Sequence, residues 1–255
     1  MPPFTTTDRM STLPGIAHGF FGRRGGVSTG VYESLNLGQG SGDNARAIVA
    51  NRKLVRDAVG AQHLQSCYQI HSDECVWIVA PLQKRPEADG MVTKEAGIAL
   101  CVLAADCVPV LFADAKAGVI GACHAGWKGA LGGICQATLS RLESAGANRA
   151  DVVAAIGPSI HQASYEVGPE FRDTFLTKAD GSERFFIPGH GDRFHFDLPG
   201  FVHAILVSEG VGAIDHLEHD TCAMDEEYFS NRRRNRRGEP DYGRNGSVIM
   251  LTGQG

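Results

Sequence analysis

The sequence predicts a mixed α/β (α+β) fold, and three observations carry the prediction. Residues 99–103, 108–112 and 119–122 are continuously apolar, as strands covered on both faces are. Helix-like segments stand around these runs without strict strand–helix alternation, which points to mixed rather than purely parallel sheets. Apolar residues make up 43% of the 255 positions, enough to bury a sizeable core.

In chain order, residues 17–40 are glycine-rich, and Phe20-Phe21 suggests a short strand leading into a loop of unusual backbone angles. Residues 43–59 read as an amphipathic helix, with Ile48, Val49, Leu54, Val55 and Val59 at roughly helical spacing and Gly60 as its stop. Residues 67–70 and 76–79 read as strands and 129–145 as a helix. A buried strand at 152–156 ends at Gly157-Pro158, helices come next at 168–177 and 199–209, and 247–251 is a C-terminal strand. With no internal repeat and no linker-like stretch, a single domain over 1–255 is the simplest organisation.

Composition narrows the function classes. The net charge of −5 is a poor match for non-specific nucleic-acid binding. The run from Arg232 to Arg237 lacks interleaved aromatics and reads as a solvated loop. The seven cysteines are odd in number and several lie inside apolar runs, which fits reduced thiols in the cytoplasm better than a disulfide framework. Residues 1–10 contain no apolar leader-like segment. The longest apolar stretch, 98–113, is interrupted by Asp106 and is shorter than the roughly 18 residues of a membrane span. The expectation is a cytoplasmic protein, a monomer or small homo-oligomer, with neither nucleic acid nor membrane as partner.

Three residues stand out as metal ligands by context. His71 follows a strand-like run, Cys107 lies between apolar strands, and His124 ends one. Strand ends are rigid and aim side chains at a common point, and a catalytic zinc takes three such ligands and leaves a fourth position open. No compact spacing signature fixes the trio, and the alternative is a surface histidine, an apolar filler and a hydrogen-bonded core histidine. A rival set, Cys67, His71 and Cys75, requires a helix where the residues favour strand. His216-Leu-Glu-His219 is also metal-like on a helix, or else a solvated acidic segment.

Other candidates concern anions and protons. The segment 121–128 nearly matches a phosphate-binding loop, but Trp127 stands before Lys128 where the lysine must follow glycine directly. An NTPase is excluded, while a strand, glycine turn and helix start still suit an anion. Arg23-Arg24 is a second possible anion clamp or a solvated loop. Asp73, Asp89 and Asp106 lie near predicted strand ends, where each serves as general acid or base, as orienter of a metal-bound histidine, or as a turn residue.

Taken together the motifs resemble the laccase-domain (YfiH-like, polyphenol-oxidase-type) family. They run from His18-Gly-Phe-Phe-Gly, Gly25-Gly-Val-Ser28 and Leu35-Asn-Leu-Gly38 through Gln69-Ile-His-Ser-Asp73, Ala88-Asp-Gly-Met91, Ala105-Asp-Cys-Val-Pro109 and His124-Ala-Gly-Trp-Lys-Gly129. They close with Gly157-Pro-Ser-Ile160, Tyr165-Glu-Val167, Asp220-Thr-Cys222 and Phe229-Ser-Asn-Arg-Arg233, where Asn231 replaces a more usual aromatic. The resemblance implies an α-β-β-α layered sandwich and one zinc held by His71, Cys107 and His124. It also implies purine nucleoside phosphorylase activity on adenosine, inosine, guanosine and methylthioadenosine, with adenosine deamination.

On this reading Asp73 or Asp106 shuttles protons beside the three ligands, and Arg24, Ser28, Asn36, Trp127 and Lys128 are the substrate-binding candidates. Purine nucleosides and phosphate are the partners. Multicopper oxidases rely on many histidines, typically in His-x-His pairs, and none occurs here. The trio accepts Cu²⁺ as well as Zn²⁺, so a copper-dependent polyphenol oxidase is one alternative. Another is a hydrolase linked to cell-envelope precursors, with Cys107 as nucleophile.

Overall fold

Strands that are apolar on both faces need cover on both, and the fold supplies it in layers. The computed structural model describes residues 1–253. One sheet has the order β1 (Phe4–Thr5), β2 (Ile16–Phe21), β14 (Asn245–Leu251), β6 (Ile98–Ala104) and β3 (His63–Gln65). The second runs β13 (Ala213–His216), β9 (Val153–Ile156), β7 (Val108–Asp114), β8 (Val119–Ala125), β5 (Gly90–Thr93) and β4 (Cys75–Trp77). Both sheets mix parallel and antiparallel pairs. A small third sheet joins β10 (Glu166–Val167), β12 (Phe194–Phe196) and β11 (Phe186–Pro188).

The period of two along each central strand divides the core. Leu100, Val102 and Ile249 of the first sheet meet Leu111, Ala113, Ile120 and Ala122 of the second in one buried cluster between the sheets. The alternate residues Ala99, Cys101, Val248 and Met250 face outward against Leu54, Val55, Ala58 and Val59, which belong to or follow helix α2 (Ala45–Ala58). Val110, Phe112, Cys123 and Ile156 face the other way. They pack with residues of α4 (Ile134–Ser144), α5 (Pro169–Lys178) and α6 (Leu198–Ser208). The expected helix–sheet–sheet–helix sandwich is therefore present. The remaining helices are α1 (Asp8–Ser11), α3 (Trp127–Gly132) and α7 (Asn231–Arg237).

Local chemistry moves several boundaries. Helix α2 begins at Ala45 because the Asn44 side chain accepts from the Arg46 and Ala47 amides, a cap contributing about 1 kcal/mol. The helix expected over 129–145 breaks into α3 and α4 at Gly133, whose φ of 104° only glycine adopts readily. Residues 67–70 form no strand: Tyr68 makes one isolated bridge to Glu87, and the edge strand is β3 instead. His216 ends a strand, so the helical reading of 216–219 does not hold. The arginine run 232–237 is likewise a helix rather than a solvated loop. Arg233 is buried and bonds the Thr221 and Cys222 carbonyls, while Arg236 reaches Ser164 and Arg237 reaches Asp225.

Candidate metal centre

Sheet register assembles most of the centre. Strands β7 and β8 pair Pro109 with His124 and Val108 with Ala125, so Cys107 falls just beyond the hairpin end, opposite Gly126. Strands β5 and β8 pair Gly90 with Cys123, which sets Asp89 beside His124. His71 comes from the loop before β4, and Asp89 fastens that loop. Its Oδ2 accepts from the amides of Ile70 at 3.1 Å and Ser72 at 2.7 Å, bracketing His71. One buried carboxylate thus fixes both histidines, because its Oδ1 also lies 2.9 Å from His124 Nδ1.

His71 Nε2 lies 3.9 Å from Cys107 Sγ, and the two imidazole rings stand edge to face with centroids 4.9 Å apart. The backbone is bent to achieve this. Among the described residues only His71 (φ 61°) and Asp106 (φ 94°) are non-glycine residues in the left-handed region, and both flank or belong to the trio. Such conformations cost on the order of 1–3 kcal/mol each and persist where surrounding contacts enforce them. Gly126 is the third device. A Cβ there would lie 2.7 Å from His71 Cδ2 and 3.0 Å from Cys107 Sγ, so the turn closes under the ligands only with glycine.

The electrostatics couple Cys107, His124 and Asp89. Burial opposes ionisation of Cys107, but His124 and His71 outweigh it and hold the thiol well below its ordinary value. Burial likewise opposes protonation of His124, but Cys107 and Asp89 outweigh it and push the imidazole up. Burial opposes charge on Asp89 too, yet hydrogen bonds from His124 and Ser72 keep its carboxyl at about 2. With Nδ1 held by Asp89, His124 offers its other nitrogen to the centre, the tautomer control seen in metal-ligating histidines.

The donor set fits one ion. Two imidazoles and a thiolate match a three-ligand zinc site, whose bond lengths place sulfur and nitrogen about 3.6 Å apart in a tetrahedral arrangement. No fourth His, Cys, Asp or Glu joins the group among the described residues, which leaves an open position. The rival Cys67–His71–Cys75 set is not brought together: among the described residues His71 groups with Cys107 and His124 instead, and burial pushes the Cys67 and Cys75 thiols up, to about 12 and about 11.

The centre lies against a cavity of about 300 Å³, within the range of small-molecule sites. Its walls include Tyr68, Arg85, Tyr242 and Arg244, with Gly38 and Gln39 among the other lining residues. The Arg244 guanidinium lies 3.7 Å from the Tyr242 ring centroid, and that of Arg85 lies 5.6 Å from Tyr68. Sequence reasoning missed all four residues, which sit in loops without a motif.

The remaining candidates fall elsewhere. Arg24 lines a separate surface cavity and pairs with Glu226 at 3.1 Å, so its charge is already matched. Ser28 donates to Asp43, and Asn36 donates to Ser41 and Asp43 while accepting from the Gly38 and Arg244 amides. These two are buried supports behind the cavity rim rather than lining residues. Trp127 packs on Phe171 and Phe175, and Lys128 lies over the Trp127 ring, so the turn serves packing and the close approach of Gly126. Asp73 is exposed and does not line the cavity. Asp106 is buried, accepts from Thr221 Oγ1 and the Arg232 amide, and is pushed up by burial. The carboxylate that meets the trio is Asp89, whose motif position was visible in the sequence.

Fold and site together define an α/β protein with a two-histidine, one-cysteine centre beside an arginine-bearing cavity. The chain belongs to the family described as multi-copper polyphenol oxidoreductase laccase, whose model matches residues 17–252. It is 38% identical over 220 residues, 86% of this chain and 84% of the other, to a purine nucleoside phosphorylase of Deinococcus radiodurans. It is 32% identical over 233 residues to purine nucleoside phosphorylase YfiH of Escherichia coli, covering 90% and 91% of the two chains. The Neisseria meningitidis protein NMB0706 has the same fold at TM-score 0.90 and 34% identity, over 98% of this chain and 99% of that one. No helix among the described residues is long and apolar enough to cross a membrane.

Proposed function

We propose that the chain is a cytoplasmic zinc-dependent purine nucleoside phosphorylase, a monomer or small homo-oligomer. It acts on adenosine, inosine, guanosine and methylthioadenosine with inorganic phosphate, and it also deaminates adenosine. The observation that carries this reading is the juxtaposition of His71, Cys107 and His124 with Arg85, Arg244, Tyr68 and Tyr242 around one cavity. The names of the relatives in Deinococcus and Escherichia support it.

His71, Cys107 and His124 would hold the ion, which would supply Lewis acidity beside the cavity. Arg85, with no ion pair among the described residues, attracts phosphate and orients it through its guanidinium fork, and Arg244, paired with Asp241 at 3.4 Å, adds hydrogen-bond donors on the same cavity. The exposed ring of Tyr68 offers a flat face to a purine, while Tyr242 backs the Arg244 guanidinium. In phosphorolysis a phosphate oxygen bonds to ribose C1′ as the bond from C1′ to the purine nitrogen breaks, and the base leaves with the electron pair and takes up a proton. In deamination water adds at C6 and ammonia leaves. Asp89 keeps both histidines in place throughout.

The test is to supply inosine and phosphate to the purified chain and measure hypoxanthine and ribose 1-phosphate, and to supply adenosine without phosphate and measure ammonia. Cys107→Ala is expected to lose the ion of this centre and both activities. Wild-type zinc content and activity in that variant would overturn the assignment.

A second reading has an observation of its own. Asp89, His124 and Cys107 form a carboxylate–imidazole–thiolate series, the arrangement of an activated cysteine nucleophile. A hydrolase of that kind is inactivated by alkylation but not by chelators, whereas the phosphorylase is inactivated by both.

A further inference from the structure

A second group of ligand-type side chains stands apart from the centre. His161 lies in the turn after β9, and His216 and Glu218 lie at and just after the end of β13. The parallel pairing of these strands, with His216 opposite Ile156, brings the three together. One ligand atom from each lies within 4.8 Å of the others. His216 Nδ1 is 3.3 Å and His161 Nδ1 is 3.9 Å from the Glu218 carboxylate. The centroids of the two rings are 5.9 Å apart.

On each ring Nδ1 is the nitrogen turned to the Glu218 carboxylate. Nε2 of both His161 and His216 is buried without a hydrogen-bond partner among the described residues. The nitrogens available to an ion beside Glu218 are therefore the Nδ1 atoms. Glu218 is mostly exposed, at 76%, which keeps one side open to solvent for entry and for water ligands.

We propose that His161, His216 and Glu218 form a second divalent metal site, distinct from the centre of His71, Cys107 and His124. Two nitrogens and one carboxylate oxygen select Zn²⁺ or another late first-row ion over Mg²⁺ or Ca²⁺. Tetrahedral zinc holds nitrogen and oxygen ligands about 3.4 Å apart, close to the shorter separation here. The ion ties the 157–161 turn to the 216–221 turn. These turns already share bonds from Ser159 N to His219 O and from Thr221 N to Ser159 O. They also hold the neighbour of Cys107, since Ile160 N bonds Asp106 O and Thr221 Oγ1 bonds the Asp106 side chain. The site is thus a brace behind Cys107, lacking a thiolate and therefore insensitive to thiol reagents.

Equilibrium dialysis against Zn²⁺ alone, with the metal counted per full-length chain, tests this directly. The wild type is expected to bind two ions. The variant His71→Ala with Cys107→Ser is expected to bind one, as is the variant His161→Ala with His216→Ala. Alkylating the native chain is expected to lower the count from two to one. Glu218→Gln, at an exposed position that leaves folding untouched, is expected to weaken the second ion about tenfold or more. One ion in the wild type, two in the His161/His216 variant, or wild-type second-site affinity in Glu218→Gln overturns the proposal. Loss of both ions in a folded His71/Cys107 variant overturns the independence of the second site.

Discussion

Replacing Asp89 by asparagine keeps the shape of the side chain and removes its charge, and the hydrogen bonds define the consequence. Asp89 Oδ2 accepts three bonds, from the Ile70 amide at 3.1 Å, the Ser72 amide at 2.7 Å and Ser72 Oγ at 2.9 Å, while Oδ1 meets His124 Nδ1. An asparagine has one acceptor oxygen. If that oxygen keeps the three donors of the 70–72 loop, the NH₂ faces His124 Nδ1 and drives the ring proton to the nitrogen turned toward Cys107. If the amide flips, its NH₂ opposes the Ile70 and Ser72 donors and the His71 loop is released. Either way one residue of the candidate ligand set is lost or misdirected. Loss of a carboxylate supporting a metal-bound histidine costs about 10–100-fold, or about 1.4–2.7 kcal/mol. Zinc affinity measured by competition with a chromophoric chelator, on protein whose fold is checked by circular dichroism, reads this directly. An affinity within about threefold of wild type in folded Asp89→Asn would refute the account of how the histidines are held.

Three further outcomes are expected. Gly126→Ala meets no backbone penalty, since Gly126 has φ −67° and ψ 164°, but its Cβ crowds His71 and Cys107. Zinc affinity should fall about tenfold or more, with overpacking of about 1–3 kcal/mol confined to the centre, as chelator competition would reveal. Arg85→Ala, at a half-buried cavity wall without an ion pair among the described residues, should raise the KM for phosphate about tenfold in steady-state kinetics and change stability by under about 0.5 kcal/mol. Burial holds His18 down at about 4 from 6.5, and the ring accepts from the Thr7 amide, so it is neutral in the fold. The unfolded chain takes up that proton below about pH 6.5, so the stability is present above 6.5 and is lost as the pH falls toward 4, about 2–3 kcal/mol by pH 4.5. Urea unfolding at pH 7 and pH 4.5 should show a smaller drop in His18→Gln than in wild type, and equal drops would refute the assignment.

Much of the fold was legible because apolar period is a local signal. The runs that became β6, β7 and β8 were visible as unbroken apolar segments, and the two sheets explain why they carry no polar face. The helix at 45–58 announced itself by the spacing of its apolar residues and by Gly60 after it, while its Asn44 cap emerged only in the fold. What failed were elements set by remote partners. Strand β3 is short and partly polar and exists only because β6 pairs with it, and α7 is a helix whose arginines are fixed by carbonyls and a carboxylate far away in the chain. His71, Cys107 and His124 were readable as strand-end residues in motifs, while Tyr68, Arg85, Tyr242 and Arg244 were not, since loop side chains have no periodic signature.

The sequence by itself determined the ligand types, the alternation of buried faces and the absence of His-x-His pairs, because these depend on residues near one another in the chain. Only the tertiary structure decided that Asp89, rather than Asp73 or Asp106, meets the histidines, and that Arg24 lies away from the cavity. The reason is register. A step of one residue along β5 or β7 turns a side chain to the opposite face, and that step is set by pairing with β8 rather than by anything local to either strand.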